Sequence, residues 1–151
     1  IANFGWNLND PDNGEMKITF EKDEVKEGWG CLKYTYNPKK GTSPGFYTKS
    51  YPVGGTVDFQ FFVKSEKPTR WQISLKRKSD DQIYTSYFIS TSKWKRVKLS
   101  LSQFRGTKNG EVVGTRKEWR NDFHPYIRFV DVSRKYNSNV LWFDEFEINR
   151  F

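Results

Sequence analysis

The chain has 151 residues, enough for one domain with a substantial core, and a formal net charge of +8 from 26 Lys and Arg against 18 Asp and Glu. Aromatic residues make up 18% of it while alanine occurs only at Ala2, a balance that favours strands over helices. No run approaches the ~20 apolar residues of a membrane-spanning helix, the lone Cys31 excludes an internal disulfide, and the lone His124 excludes a histidine metal cluster.

In chain order, Asp10 to Gly14 forms a loop, after which Met16, Ile18 and Phe20 alternate with Lys17, Thr19 and Glu21, the period-2 pattern of a half-buried strand. A turn at Lys26 to Gly28 leads into a strand over 29–36, where Cys31 reads as a small buried hydrophobe. Asn37 to Gly41 turns out of it, and 46–51 is a short aromatic strand. After the turn at Val53 to Gly55, Val57, Phe59, Phe61 and Val63 alternate with Asp58, Gln60, Phe62 and Lys64, the clearest core strand of the chain, which Pro68 ends. Trp71, Ile73 and Leu75 alternate with Gln72, Ser74 and Lys76, and a turn at Ser79 to Gln82 opens a strand over 83–90. Trp94 begins a segment in which Val97, Leu99 and Leu101 face one side and Arg96, Lys98 and Ser100 the other, with Phe104 closing it against the core. The stretch 105–121 is long, polar and glycine-containing, and is expected to form a functional rim. The last strands are 126–132 and 140–148, and the pair Asp144 and Glu145, set between Phe143 and Phe146, predicts a bulge or kink. Turn signals at sandwich spacing make this an all-β chain, a β-sandwich with jelly-roll-like strands in a single domain over 1–151. With no charged-then-apolar leader it reads as an excised soluble module.

No nucleophile elbow, phosphate loop or zinc spacing occurs. Asp80 with Asp81, and Asp144 with Glu145, are sequence neighbours in a turn and on opposite faces of a strand, so neither pair is set to flank a glycosidic bond. The chain is therefore expected to bind rather than catalyse. Its basic residues are dispersed, among them Lys76 to Lys78, Lys93 to Lys98, Arg116 to Arg120, and Arg134 with Lys135. That scatter reads first as a solvated surface, then as an attraction for an acidic glycan. Nucleic acid comes last, because the compact aromatic and basic signatures of RNA-binding sheets are missing.

Gly28 to Tyr34, Lys93 to Leu99 leading to Phe104, Tyr126 to Phe129, and Trp142 to Ile148 together resemble the galactose-binding-like jelly rolls of carbohydrate-binding modules, with family 11 and relatives in families 4, 22 and 30 the nearest likeness. The resemblance implies a jelly-roll β-sandwich of two antiparallel sheets, a glycan bound on the concave face of one, and an appended catalytic domain that cuts the polysaccharide. It implies plant cell-wall β-glucan or hemicellulose as ligand; the positive charge makes an acidic polysaccharide such as pectin the next candidate, and a protein- or nucleic-acid-interaction domain on the same fold is the competing class. The module is expected to be extracellular or cell-surface and monomeric. Sugars present apolar C–H faces and polar rims, so stacking aromatics beside planar polar side chains are sought. The segment Gly45, Phe46, Tyr47 matches the family's stacking motif, with Tyr47 the preferred platform. Gln72, Lys76 and Arg128 are outward candidates, Tyr84, Tyr126 and Asp131 further ones, and Trp6 and Trp119 stand in loops that would flank a cleft, Trp119 being carried as a ligand residue. The resemblance also implies a structural calcium, for which Asp144 matches the last-strand ligand. Phe4 followed by Gly5 lacks the early carboxylate, leaving Glu21, Asp23 or Asn3 to replace it.

Overall fold

The computed structural model describes residues 5–26, 30–51, 53, 56–108, 110 and 122–150. Eleven strands run β1 Trp6–Leu8, β2 Glu15–Thr19, β3 Cys31–Tyr36, β4 Gly45–Thr48, β5 Thr56–Ser65, β6 Thr69–Arg77, β7 Ile83–Ser90, β8 Lys95–Ser100, β9 Arg105–Gly106, β10 Phe123–Asp131 and β11 Asn139–Arg150. They form a six-stranded sheet in the order β1-β4-β10-β6-β7-β9 and a five-stranded sheet in the order β2-β3-β11-β5-β8. Every described pairing is antiparallel. The fold is thus the two-sheet β-sandwich expected, with β1 as an addition: Trp6, read as a loop residue beside a cleft, begins a strand and is buried.

The alternating apolar residues meet between the sheets because each strand turns every second side chain inward. Phe59, Phe61, Val63, Leu141 and Phe143 from one sheet pack on Phe46, Trp71, Ile73, Leu75, Ile127 and Phe129 from the other, all buried. Trp6 lies edge-on to Phe46, Phe129, Phe143 and Phe146 at centroid distances of 5.3–5.6 Å, within the range where such aromatic pairs attract beyond simple burial. Phe20 departs from the predicted alternation. It lies past the end of β2 and is 70% exposed.

Two buried polar chains bolt the sheets together. Trp71 Nε1 donates to Ser90 Oγ (3.1 Å), which donates to Ser65 Oγ (2.7 Å) across the sandwich. Tyr36 Oη donates to Asp131 Oδ2 (2.6 Å), and Asn139 Nδ2 donates to Thr69 Oγ1 (2.7 Å) and toward Tyr36 Oη (3.4 Å). Inside a core each such group must find its partner, so these chains fix the mutual position of the sheets as well as stabilising them. The predicted bulge is present: the β11–β5 register shifts between Asp144 and Glu147, and Glu145 takes φ 53°, left-handed for a non-glycine residue.

Candidate functional site

The six-stranded sheet has one face in the core and one toward solvent, and the second carries an open groove of about 820 Å³. Its floor is the row of residues that alternation sends outward from β10, β6 and β7. Arg128 lies in register with Tyr47 of β4 and Ser74 of β6, and Ser74 with Thr85 of β7. One step along the strands, Val130, Gln72 and Tyr87 form a second row, and Lys76 faces Ile83 in a third. Tyr126, Arg128, Gln72 and Lys76 all line the groove, so four sequence candidates converge. Tyr47 is half-buried beside it, its ring 6.0 Å from that of Tyr126 and tilted by 30°. Lys49 Nζ stands 6.0 Å over the Tyr47 ring.

Three other candidates do not reach the groove. Phe46 is a strand neighbour of Tyr47, and neighbours on a strand point to opposite faces; it is buried and stacks on Phe129 at 5.0 Å. Tyr84 turns inward for the same reason, next to outward Ile83 and Thr85, and its hydroxyl accepts from Gln82 Nε2 at 3.2 Å. Asp131 is buried as the acceptor for Tyr36 Oη, the Ser133 amide and hydroxyl, and the Arg134 amide. Burial first, and then the charge of Asp131, push the Tyr36 phenol far above its ordinary value, which keeps Tyr36 Oη the donor in this pair. Trp119 and most of the expected 105–121 rim lie outside the described residues.

The structure adds residues that the sequence reading passed over. Ile83, Thr85, His124, Pro125, Lys49 and Val130 line the groove, and Tyr87, 42% exposed, extends its second row. The Arg70 guanidinium lies 4.2 Å over the Tyr87 ring, and Gln72 Nε2 donates to its hydroxyl at 3.4 Å. The strand over 83–90 was legible, but its apolar residues stand at both parities and carry no sign of which face the core would take. Thr42 and Ser43 enter from the β3–β4 connection, which is clamped from behind. Arg134 donates through Nε to Pro38 O (2.9 Å) and through one terminal nitrogen to Lys39 O (3.1 Å) and Gly41 O (2.6 Å).

Among the described residues the charge lining the groove has one sign: Lys49, Lys76 and Arg128 line it with His124, and no described Asp or Glu does. The nearest described carboxylate contact is Asp81, 72% exposed, with Oδ1 3.9 Å from Lys76 Nζ and 3.8 Å from His124 Nε2.

The proposed calcium ligands lie on the other sheet, where the 20–26 loop crosses its outer face. Lys64 Nζ donates to Asp23 O at 3.2 Å, and Glu24 accepts from Lys33 Nζ (2.5 Å), Trp142 Nε1 (2.9 Å) and Thr19 Oγ1 (3.0 Å). Asp144 Oδ1 accepts from the Glu145 amide at 2.9 Å, and Glu21 is exposed. Asn3 lies outside the described residues. Among the described residues no three acidic, histidine or cysteine side chains are grouped to hold a metal, and the loop's oxygens meet ammonium and N–H donors instead. The described residues therefore do not fit a calcium ion.

No protein-family model matches the chain, nor does any curated protein sequence. Solved structures do. A family 11 carbohydrate-binding module from Clostridium thermocellum, in complex with a β-1,3-1,4-mixed-linked tetrasaccharide, superposes with a TM-score of 0.65 over 95% of this chain and 88% of its own, at 15% identity. The fold is the carbohydrate-binding-module jelly roll. The CBM22-1 xylan-binding domain from Paenibacillus barcinonensis matches 99% of the chain and 88% of itself at a TM-score of 0.61 and 13% identity. An exo-β-agarase matches the whole of this chain with 25% of its own length, at a TM-score of 0.67 and 11% identity.

Proposed function

We propose that the protein is a non-catalytic carbohydrate-binding module that holds a polysaccharide along the outer face of its six-stranded sheet and so keeps an appended polysaccharide-degrading enzyme on its substrate. The observation that carries this is the groove in which Tyr126 stands beside Gln72, Ser74, Thr85 and Arg128, with the ring of adjacent Tyr47 6.0 Å from that of Tyr126 and tilted to it. Ring faces cover the C–H surfaces of a sugar while amide, hydroxyl and guanidinium groups bond its rim. Tethering of this kind acts by effective concentration and requires no bond-breaking group. Structures of the same fold with a mixed-linkage glucan fragment and with xylan-binding activity support a β-linked ligand of the β-glucan or hemicellulose type. The agarase match supports an arrangement in which such a sheet pair forms part of a longer enzyme.

Affinity electrophoresis against soluble mixed-linkage glucan, xyloglucan, xylan, mannan and pectin tests the reading. Retardation by at least one polymer is expected, with Tyr126→Ala weakening it by about tenfold, the loss typical of removing one aromatic anchor. Free migration through every gel would refute it.

A further inference from the structure

We infer that the polysaccharide held in this groove carries anionic groups, carboxylate or sulfate, and that Arg128 reads them. The inference rests on the glycan-binding reading above and names the class of glycan. Arg128 stands at mid-floor, between Tyr47 and Ser74 in register. Its Nε is buried with no hydrogen-bond partner, and its guanidinium makes no ion pair, hydrogen bond or ring contact with any described residue. The other arginines whose side chains are described are engaged: Arg134 with three carbonyls, Arg77 with Asp80, Arg70 over Tyr87, Arg105 with Ser102 O, and Arg96 with Gln60. A guanidinium taken partly from water and given no acceptor is costly, and the cost is recovered when a ligand supplies one.

Neutral sugar hydroxyls donate as well as accept, so a site for them gains from carboxylate acceptors among its polar groups. Among the described residues that line this groove there is none. Its charged lining is Lys49, Lys76 and Arg128, and Lys76 reaches only exposed Asp81 at 3.9 Å. Three cations around a recess focus a positive potential into it, and a planar carboxylate or a sulfate fits the fork of a guanidinium through two parallel N–H bonds.

The test is titration calorimetry with glucuronoxylan and polygalacturonate, each beside its carboxyl-reduced neutral counterpart, with a sulfated galactan and with single-stranded DNA. Expected is affinity about tenfold or more higher for an acidic polymer than for its reduced form, declining as salt is raised through the range where the Debye length shrinks below about 10 Å. Arg128→Gln should abolish that preference, an effect of about tenfold to a hundredfold on the acidic polymer, as for a lost charged hydrogen bond, and should lower affinity for the reduced polymer by less, since the guanidinium also bonds the neutral rim. The double variant Lys49→Gln with Lys76→Gln, at the rim, should lower it in the same direction if Arg128→Gln does not fold. Lys95→Gln, on the opposite sheet, should not. Preference confined to the carboxylate polymers assigns uronate, and preference confined to the galactan assigns sulfate. Equal affinity for acidic and reduced polymers overturns the inference and leaves glycan binding standing; failure to bind any polysaccharide removes both. Binding of DNA as tight as of the acidic glycan, weakened equally by Lys95→Gln, would also overturn it, since that is the behaviour of a diffuse polycation.

Discussion

Glu24 shows how one side chain can fasten a loop to a sheet. It takes Lys33, Trp142 and Thr19 as donors at once, and its loop neighbour Asp23 offers a carbonyl to Lys64. Burial alone raises its carboxyl, but the bonds from Lys33, Trp142 and Thr19 outweigh that and hold it below its ordinary value of 4.5. Because the folded value is the lower one, the stabilisation is fully present above the unfolded value and is lost as pH falls through the folded one. Urea unfolding followed from pH 7 to about pH 3 should therefore show stability declining on the acid side, with Glu24→Gln less stable at pH 7 and its acid decline shallower. Equal slopes for the two proteins would show that Glu24 has no part in it. At the same scale, Cys31 is buried where desolvation pushes its thiol up to about 12, in keeping with a packing residue rather than a nucleophile.

Among the elements, the β3–β4 connection depends most on a distant residue. Arg134, itself at φ 49°, spans three carbonyls of that loop, and the loop brings Thr42 and Ser43 to the groove. Arg134→Ala should lower unfolding stability by about 1–2 kcal/mol, and Arg134→Lys by nearly as much, because a single ammonium cannot reproduce the fork. Full recovery in the Lys variant, measured by urea denaturation, would show that charge alone suffices. Strands such as β5 and β6 were legible because their apolar residues alternate, while 83–90 was foreseen to the residue from the turn before it, and the irregularity within 140–148 was foreseen as well. The site was legible in part. Gln72, Lys76, Tyr126 and Arg128 could be read as outward once Trp71, Ile73, Ile127 and Phe129 were taken as inward. Phe46 with Tyr47 could not both be platforms, and period 2 alone already forbade it. Tyr84 was misplaced because 83–90 carries apolar residues at both parities, so only packing such as its contact with Phe123 settles its direction, whereas period 2 from inward Ile127 and Phe129 already put Asp131 inside, where it meets Tyr36 of the other sheet. β1 escaped notice because three residues are too few to show a period.

The molecule as a whole divides its duties between its sheets. The five-stranded sheet turns outward a row in which Lys33, Trp142, Lys64 and Trp94 alternate cation and ring at 4.9–5.8 Å, beneath a loop held by ammonium groups. The other sheet turns outward the groove. If lysines hold that loop, a chelator should leave the melting temperature unchanged within about 1 °C, and a fall of several degrees in EDTA, reversed by calcium, would reveal a metal bound through residues beyond the described set. On β10 and β6 the odd-numbered residues from Ile127 to Asp131 and from Thr69 to Leu75 build the interior, while the even-numbered Tyr126, Arg128, Val130, Gln72, Ser74 and Lys76 form the groove. On β7 the parity is reversed. Interior positions and groove positions are thus interleaved on the same strands without sharing a letter. A lineage carrying this scaffold can rewrite its outer groove, one alternate position at a time, and pass the interior on unaltered.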